Sequence, residues 1–340
     1  MLRRDMEAQK STWAVVATVD EPPVLIRTFV AWYLHLGASE IWLYFDRPDD
    51  PAAADVAEMP GVEVIACDAV HWRRLGKSRP QKHQIRQMRN AGDAYRRSHA
   101  DWVLHVDADE YLRPGGSVGE CLHQLGPQTQ VGVVPVAERI FSDPEGTIFD
   151  GAFRRPYLGK PRDGRKLFGP AYDLTYRGLT GHAIGKSFAR TGAPLQMSIH
   201  RPKPLGAADL MAQTLDHAIL LHFDGLTRLH WVYKLLRKAD AVLNRGGMAP
   251  SPHRQRQIDA VLDCPSSGFD LHDELKCIGP ALQAILQTHD LWLDPGFSPV
   301  SVLQEWFPKD GSDVSAAAFD AWLWHNKGDV LDQFGMEREA

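Results

Sequence analysis

The sequence predicts an α/β fold in which a mixed, mainly parallel sheet is flanked by helices. Apolar runs typical of buried strands alternate with segments of helical spacing, the order that parallel sheets produce. Glycines and prolines fall between these segments, where the chain must turn. Beyond Gly246 the pattern is helical and interrupted by Pro and Gly. We therefore expect one domain over residues 12–245 and a helical C-terminal extension over 246–340.

The N-terminal elements follow from the spacing of their apolar residues. Trp13–Val19 is an almost unbroken apolar run and predicts a buried strand. Pro22 and Pro23 then open a segment with apolar residues at helical spacing, and Gly37 is placed to end that helix. Strands are expected next at 41–45 and 62–66.

The remaining elements continue this alternation toward the C-terminus. In chain order we expect a helix at 81–98, a strand at 101–106, a helix at 117–125, a strand at 131–136, strands at 196–200 and 218–223, and an amphipathic helix at 227–243. The stretch 143–169 is rich in Gly, Pro and basic residues, so it is predicted to be an irregular loop.

Composition excludes several classes of protein. The chain has 340 residues and a formal net charge of −5, so it is not a general nucleic-acid binder. Its four cysteines lack CxxC spacing and are expected to be reduced thiols, although a disulfide between Cys264 and Cys277 stays open. Neither a membrane span nor the apolar core of a secretory signal is present, which predicts a cytoplasmic protein with at most peripheral membrane contact.

The most informative segment is WVLHVDADEY, residues 102–111. In a strand alternate residues share a face, so the even-numbered apolar residues should pack while Asp107 and Asp109 share the other face. The acids begin where the strand ends, at the edge where open α/β sheets bind ligands. Two carboxylates suit Mg²⁺ or Mn²⁺ with room for phosphate oxygens, and such a cation would neutralise a leaving diphosphate. A solvated acidic turn is the alternative interpretation.

Several further segments, taken in order, carry a family resemblance. They are Thr18-Val19-Asp20-Glu21, Trp32 to Gly37, Ile41 to Asp46, Asp107 to Glu110, Gly185-Lys186-Ser187, His200-Arg201-Pro202, and His222-Phe223 with Lys234. Over residues 12 to 240 the chain resembles the family 2-like glycosyltransferases of GT-A fold, near the family 92 (DUF23-type) branch. It departs from that pattern where Asp20 replaces Asn, Tyr33 replaces His and Phe29 replaces Trp. These departures bear on the donor base rather than on the fold.

The resemblance implies a metal-dependent transfer of a hexose from a nucleotide-diphosphate sugar, with inversion at the anomeric carbon. A UDP-sugar is the expected donor, and the acceptor hydroxyl belongs to a glycan, a lipid-linked molecule or a small molecule. Asp20, Glu21 and Asp46 would hold the base or ribose. The alternative for each is a solvated loop acid or a charge at a helix N-terminus.

The resemblance also places a histidine near the metal and diphosphate, which makes His222 a candidate third ligand beside Asp107 and Asp109. A neutral imidazole can complete an Asp-rich metal site, whereas a satisfied core histidine is the alternative. His182 is expected to be structural.

Inversion needs a general base beside the acceptor hydroxyl. Asp173 and His200 are the candidates, with Asp143 as a third.

Basic residues cluster twice, and either cluster is able to contact the donor diphosphate or an anionic acceptor. The first contains Arg73, Arg74, Lys77, Arg79, Lys82, Arg86 and Arg89, and the second contains Arg154, Arg155, Lys160, Arg162, Arg165 and Lys166. Lys82 is the candidate donor contact, although charge runs are usually solvated faces. Two other functions stay open: a nucleotidyltransferase, and a degenerate transferase that binds sugar without catalysis.

Overall fold

Two sheets that meet at the acidic segment form the framework of the chain. The computed structural model describes residues 10–338 except 77, 142–145, 208, 295 and 309–312, and only the backbone of residue 245. The strands are β1 (Trp13–Val19), β2 (Glu40–Phe45), β3 (Val62–Ala66), β4 (Trp102–His105), β5 (Glu110–Pro114), β6 (Val131–Val134), β7 (Val136–Ile140), β8 (Ala152–Arg154), β9 (Lys186–Arg190), β10 (Leu195–Gln196), β11 (Lys203–Pro204), β12 (Ala212–Thr214), β13 (Ala218–His222) and β14 (Trp292–Leu293).

Helices flank the sheets and make up most of the C-terminal segment. They are α1 (Pro23–His35), α2 (Ala52–Ala57), α3 (Ala69–Arg74), α4 (His83–Arg97), α5 (Val118–His123), α6 (Pro161–Phe168), α7 (Arg228–Arg245), α8 (Pro252–Asp263), α9 (Gly268–Lys276), α10 (Pro280–Thr288), α11 (Pro299–Trp306) and α12 (Ala316–Gln333). Among the described residues, no helix combines the length and apolar character that a membrane crossing requires.

The main sheet has the strand order β12-β6-β9-β4-β1-β2-β3. Its β4-β1-β2-β3 half is parallel, and β9 runs antiparallel between β4 and β6. Alternate residues of β1 pack on opposite faces, Val15 against the side of α1 and Val16 against the side of α4. Helices therefore cover both faces, as a parallel sheet requires. The predicted α/β class is confirmed.

The second sheet has the order β14-β8-β7-β13-β5 and is mainly antiparallel. Only β13 and β7 run parallel within it. The C-terminal segment contributes β14 to this sheet, and its helices α8, α9 and α12 pack against α7. The expected helical C-terminal extension is thus present, and it also adds a strand to the second sheet.

Several local features differ from the sequence predictions, among them the strand predicted at 131–136, which divides at Pro135 into β6 and β7 of different sheets. The predicted loop at 143–169 contains β8 and α6, because Pro161 suits the first turn of a helix. The predicted strand at 196–200 is only the end of the short β10. The strand β9 was not predicted, since KSFAR is short and begins with a lysine. All four cysteines are free thiols, as expected.

Gly225 lies in the turn between β13 and α7, the two elements that deliver His222 and Lys234. Its φ is +87°, and a Cβ atom there would lie 2.5 Å from the Cβ of Trp231. We expect Gly225→Ala to lower the free energy of unfolding by the ~1–2 kcal/mol of left-handed strain plus about 1–3 kcal/mol of overpacking. Urea denaturation measures this loss.

Gly37→Ala is the matched control, because Gly37 has a φ of +84° and nothing within 4 Å of its added Cβ. It should lose only the left-handed strain. Equal losses in the two variants would contradict the role assigned to the close contact with Trp231.

Candidate functional site

The acidic segment lies where the chain leaves the main sheet for the second sheet. β4 ends at His105, Glu110 begins β5, and Asp107 and Asp109 lie in the turn between them. β1 runs parallel beside β4, so both strands end at the same edge of the main sheet. The acids therefore sit where open α/β sheets bind ligands. They do not share one strand face as predicted, because the strand ends before them.

The acidic segment carries three carboxylates, those of Asp107, Asp109 and Glu110, and Lys186 contacts two of them. It is the first residue of β9, the antiparallel neighbour of β4, and is fully buried. Its Nζ lies 2.9 Å from Asp107 Oδ2 and 2.9 Å from Glu110 Oε2. Burial alone would raise the pKa of both acids, but the ammonium holds the pKa of Asp107 well below its usual value and lowers that of Glu110 to about 2. Both acids are therefore ionised at neutral pH.

Lys234, on α7, contacts the third carboxylate. Its Nζ lies 2.6 Å from Asp109 Oδ2 and 3.4 Å from Asp224 Oδ1. The buried Asp224 also accepts hydrogen bonds from Arg254 at 2.8 Å and from the Thr180 hydroxyl at 2.8 Å. These charge-assisted contacts hold α7 and the chain around Thr180 against the acidic turn.

Three histidines lie on one side of Glu110. His182 Nε2 is 3.3 Å from Glu110 Oε1, and His222 is the cross-strand partner of Glu110 on β13. The rings of His182 and His222 stack with centroids 4.9 Å apart, and His200 packs edge-on against His182 at 4.3 Å. Burial lowers the pKa of His182, so its imidazole is neutral. Sequence reasoning treated His182 as structural, but it lies at the centre of this group.

Glu138 fixes the backbone that carries His182. It lies on β7, is fully buried, and accepts hydrogen bonds from the backbone N–H groups of Thr180 and Gly181, each at 2.6 Å. The Glu138 oxygen that binds the Gly181 N–H, Oε2, also lies 3.7 Å from His222 Nδ1. Glu110, His222 and Glu138 thus form a row across β5, β13 and β7.

A cavity of about 660 Å³ opens beside the carboxyl ends of β1, β2 and β3. Its lining includes Asp20, Asp46, Arg47, Cys67, Asp68, Ala69, Trp72, Arg73 and Arg79. This volume is within the roughly 300–1,000 Å³ usual for small-molecule sites. A larger open groove of about 1050 Å³ lies between α4 and the chain around β10, and neither Asp107 nor Asp109 lines it.

The structure brings two predicted donor residues, Asp20 and Asp46, into this cavity. Arg86 forms a bidentate pair with Asp46, at 2.7 and 2.6 Å. Burial opposes ionisation, but contacts with His83 and Arg86 lower the pKa of Asp46 enough to keep it ionised. Asp20 accepts a hydrogen bond from Lys327 at 2.6 Å through Oδ2, whereas its buried Oδ1 has no partner among the described residues. That oxygen is an available acceptor for a ligand hydroxyl or N–H.

Glu21 follows Asp20 in the chain and is not part of the cavity lining. Burial raises its pKa, an effect that Arg237 opposes and that Asp109 and Asp20 reinforce. Lys82 precedes α4 and is partly exposed at its N-terminal end. Their predicted roles in donor binding stay predictions.

The general-base candidates separate in space. His200 belongs to the histidine group, with Nδ1 3.1 Å from the carbonyl oxygen of Gly185. Asp173 is exposed and pairs with Arg165 at 2.7 Å, and its contacts in the described chain do not include the three acids. Asp143 lies outside the described residues. His200 is therefore the candidate that geometry places beside the acids.

The predicted cation ligands have ammonium partners. Asp107 also accepts a hydrogen bond from the Gln87 amide, so both of its oxygens are engaged, and Asp109 holds Lys234. Within the described residues two triads bring one ligand atom each within 4.8 Å of the others: Glu110, His182 and His222, and His272, Asp273 and Cys277. Asp107 and Asp109 belong to neither triad, so their binding of Mn²⁺ or Mg²⁺ with His222 stays a prediction.

No family model and no curated protein matches the chain. Among solved structures, HddC from Yersinia pseudotuberculosis is 10% identical with a TM-score of 0.27, over 41% of this chain and 64% of HddC. The aligned region thus spans less than two thirds of HddC.

Residues 1–349 of S. aureus TarS are 12% identical to the chain, with a TM-score of 0.32 over 77% of this chain and 72% of that one. The complex of TarS 1–349 with UDP-GlcNAc gives 12% identity and a TM-score of 0.30, over 78% and 73%. Scores and identities this low assign no function, so the function must be inferred from the site itself.

Lys186 is the residue whose removal should most disturb this site. Lys186→Met leaves the buried Glu110 and the partly exposed Asp107 without their shared cation, so we expect the free energy of unfolding to fall by about 3–5 kcal/mol. Lys203→Met, at an exposed position on β11, is the control and should change it little. Urea denaturation at neutral pH measures both.

The double variant Lys186→Met/Glu110→Gln removes one of the stranded charges. It should recover part of the stability lost in Lys186→Met, because an uncharged amide is far less costly to bury than an unpaired carboxylate. A double variant that is less stable than the single variant would refute this account of the contact between Lys186, Asp107 and Glu110.

Proposed function

We propose that the chain is a glycosyltransferase that moves a hexose from a nucleotide-diphosphate sugar to an acceptor hydroxyl. The carrying observation is the acidic turn, held by Lys186 and Lys234 at the edge of the main sheet beside the cavity between β1 and β3. A donor with its nucleoside in the cavity would direct its diphosphate toward the turn. This is the edge at which open α/β sheets bind nucleotides.

The cavity suits the nucleoside end of the donor. Trp72 and Cys67 give it an apolar wall, while Asp20 and Asp46 line it with carboxylates at the ends of β1 and β2. The unpartnered Asp20 Oδ1 is enclosed, and it would accept a hydrogen bond from a ribose hydroxyl or a base N–H once the side chain turns toward the cavity. A UDP-sugar is the proposed donor.

The acidic turn suits the diphosphate end. Lys234, which is partly exposed, would supply an ammonium group, and Lys82 would add a second positive charge at the start of α4. Mn²⁺ or Mg²⁺ entering with the donor at Asp107 and Asp109 would neutralise the leaving diphosphate. Hard cations of this kind are commonly bound by one or two carboxylates together with substrate phosphates.

His200 is the proposed general base. In an inverting transfer the acceptor oxygen bonds to the anomeric carbon, the bond from that carbon to the diphosphate oxygen breaks, and the acceptor proton passes to the base. Burial, together with His182 and Lys186, lowers the pKa of His200 to about 4, so the imidazole is unprotonated at neutral pH and a weaker base than an exposed histidine. The acceptor, whether a glycan, a lipid-linked molecule or a small molecule, would approach from the histidine side of the turn.

The products separate this proposal from the two other functions. Incubation with UDP-hexoses and acceptors should release UDP and leave the sugar on the acceptor or in water. A nucleotidyltransferase would instead consume or release pyrophosphate, and a sugar-binding module would release neither product. Detection of pyrophosphate exchange without UDP would overturn the proposal.

Nucleoside binding in the cavity is tested by filling it. Ala69 lines the cavity and is exposed, so Ala69→Trp should place an indole in the nucleoside position and weaken UDP binding at least about tenfold, or 1.4 kcal/mol. Val70→Trp adds the same ring at the next residue, which is 61% exposed and does not line the cavity. Calorimetry that gives both variants wild-type affinity would contradict the placement.

The cation that enters with the donor is tested with Asp109→Ala. We expect Mn²⁺ to raise the affinity of the wild-type protein for UDP, and this increase to disappear in the variant. A lost charge-assisted contact of about 1.5–3 kcal/mol corresponds to roughly a tenfold to hundredfold loss of affinity. Asp332→Ala, at an exposed position on α12, is the control. Retention of the full Mn²⁺ effect in Asp109→Ala would exclude this ligand.

A further inference from the structure

We propose that Glu110, His182 and His222 form a second, resident site for one borderline transition-metal ion, of which Zn²⁺ and Co²⁺ are the probes. The site requires no nucleotide and no sugar. It is distinct from the Mn²⁺ or Mg²⁺ expected to enter with the donor at Asp107 and Asp109, and it assigns His222 to this resident site instead of to that cation. The inference goes beyond the proposed function and rests on the geometry of the three side chains.

The three ligand atoms are already close together. One nitrogen of each imidazole and one oxygen of Glu110 all lie within 4.8 Å of one another. Glu110 Oε1 and His182 Nε2 are 3.3 Å apart. Two ligands about 2.0–2.1 Å from Zn²⁺ in a tetrahedral arrangement lie roughly 3.4 Å apart, so this pair is at metal-bridging separation. The nearly parallel rings of His182 and His222, 24° apart, can turn toward the same point.

Glu110 has one oxygen left for a metal. Its Oε2 is engaged by Lys186 at 2.9 Å and by the backbone N–H of Asp107 at 2.8 Å. Its Oε1 contacts only His182 among the described hydrogen bonds. The two contacts to Oε2 fix the carboxylate plane and direct Oε1 toward the two imidazoles.

Glu138 provides the outer shell that metal-binding histidines usually have. It lies 3.7 Å from the buried His222 Nδ1, an atom without a hydrogen-bond partner in the described chain. If His222 binds a metal through Nε2, its Nδ1–H faces this carboxylate, the arrangement that orients a ligating imidazole. The same carboxylate holds the backbone of Thr180 and Gly181, which sets the position of His182.

Gly181 is needed for this close approach. A Cβ atom at Gly181 would lie 2.7 Å from His222 Cε1 and 2.8 Å from Glu138 Oε2. Only a residue without a side chain lets this segment pack so tightly over the His222 ring. His182 itself is partly exposed, which leaves a path from solvent to the three ligand atoms.

The types of ligand favour a transition metal here. Two imidazoles and one carboxylate suit Zn²⁺, Co²⁺, Fe²⁺ or Ni²⁺, whereas Mg²⁺ and Ca²⁺ prefer oxygen ligands. Imidazole and carboxylate donors thus separate this site from the all-carboxylate turn.

The other triad, His272, Asp273 and Cys277, is a weaker candidate. Arg228 pairs with Asp273 at 3.2 Å and already supplies its cation. Burial raises the pKa of Cys277 to about 11, so the thiol is protonated, whereas a metal requires the thiolate.

The test is direct metal binding by the full chain after removal of metals with a chelator. Titration with Co²⁺ should give one equivalent bound and a d–d absorption spectrum without a thiolate charge-transfer band. Zn²⁺ should displace the Co²⁺ and raise the melting temperature of the protein. Wild-type protein that binds neither ion, or that shows the thiolate band, would overturn the proposal.

Variants then locate the ion. His182→Ala and His222→Ala should each weaken Co²⁺ binding by more than the ~10–100-fold typical of losing an outer-shell partner. His200→Ala, which removes a neighbouring ring outside the triad, and Asp109→Ala, which removes the donor cation ligand, should keep one equivalent. Binding that survives in both triad variants, or that disappears in Cys277→Ser, would refute the assignment.

Folding is checked separately, so that a misfolded variant does not decide the outcome. Circular dichroism should show the wild-type signal for His182→Ala without metal, and Zn²⁺ should no longer raise its melting temperature. His182→Gln serves if the alanine variant is unstable. A triad variant that folds and is still stabilised by Zn²⁺ as much as wild type would overturn the proposal. UDP binding, measured without added metal, reports on the proposed function independently.

Discussion

The buried contact of Lys186 with Asp107 and Glu110 is the constraint on which the rest of the site depends. The chain crosses from one sheet to the other at these acids, so they are enclosed by elements of both sheets. Two ionised carboxylates, Asp107 and Glu110, would repel each other in such a place and oppose folding. The fold brings β9 antiparallel to β4, and this places one ammonium between two of the acids. The second ammonium comes from α7, which must begin close to the end of β13 for Lys234 to reach Asp109.

This arrangement is better explained by function than by stability. Hydrophobic residues of the same volume would often stabilise a core as well as a buried ion network, or better. The acids instead keep formal charges at the edge of the main sheet, and the cavity opens at the ends of the neighbouring strands β1, β2 and β3. Under the proposed function, a diphosphate would bring its own negative charge to the partly exposed Lys234. Asp109, once released by Lys234, would then face any cation that arrives with it.

The sequence predicted the elements that its local patterns determine. Apolar periodicity and turn residues predicted the strand β1 and the helices α1 and α4. The structure has all three near the expected bounds. Asp107 and Asp109 were predicted to lie at the end of a strand, and they follow the end of β4. The strand β9 was missed because it is short, with 5 residues, and begins with a charged lysine. That residue, Lys186, is the one that contacts Asp107.

The site was less predictable because the residues that contact its acids are remote from them in sequence. Lys186 lies 79 residues from Asp107 and Lys234 lies 125 residues from Asp109, so no local pattern links them. Sequence motifs did mark His222 and the Gly185-Lys186 pair, yet nothing in the residues near His182 signalled its contact with Glu110. Gly181, directly before it, was the available clue, since glycine is common where another group closely approaches the backbone.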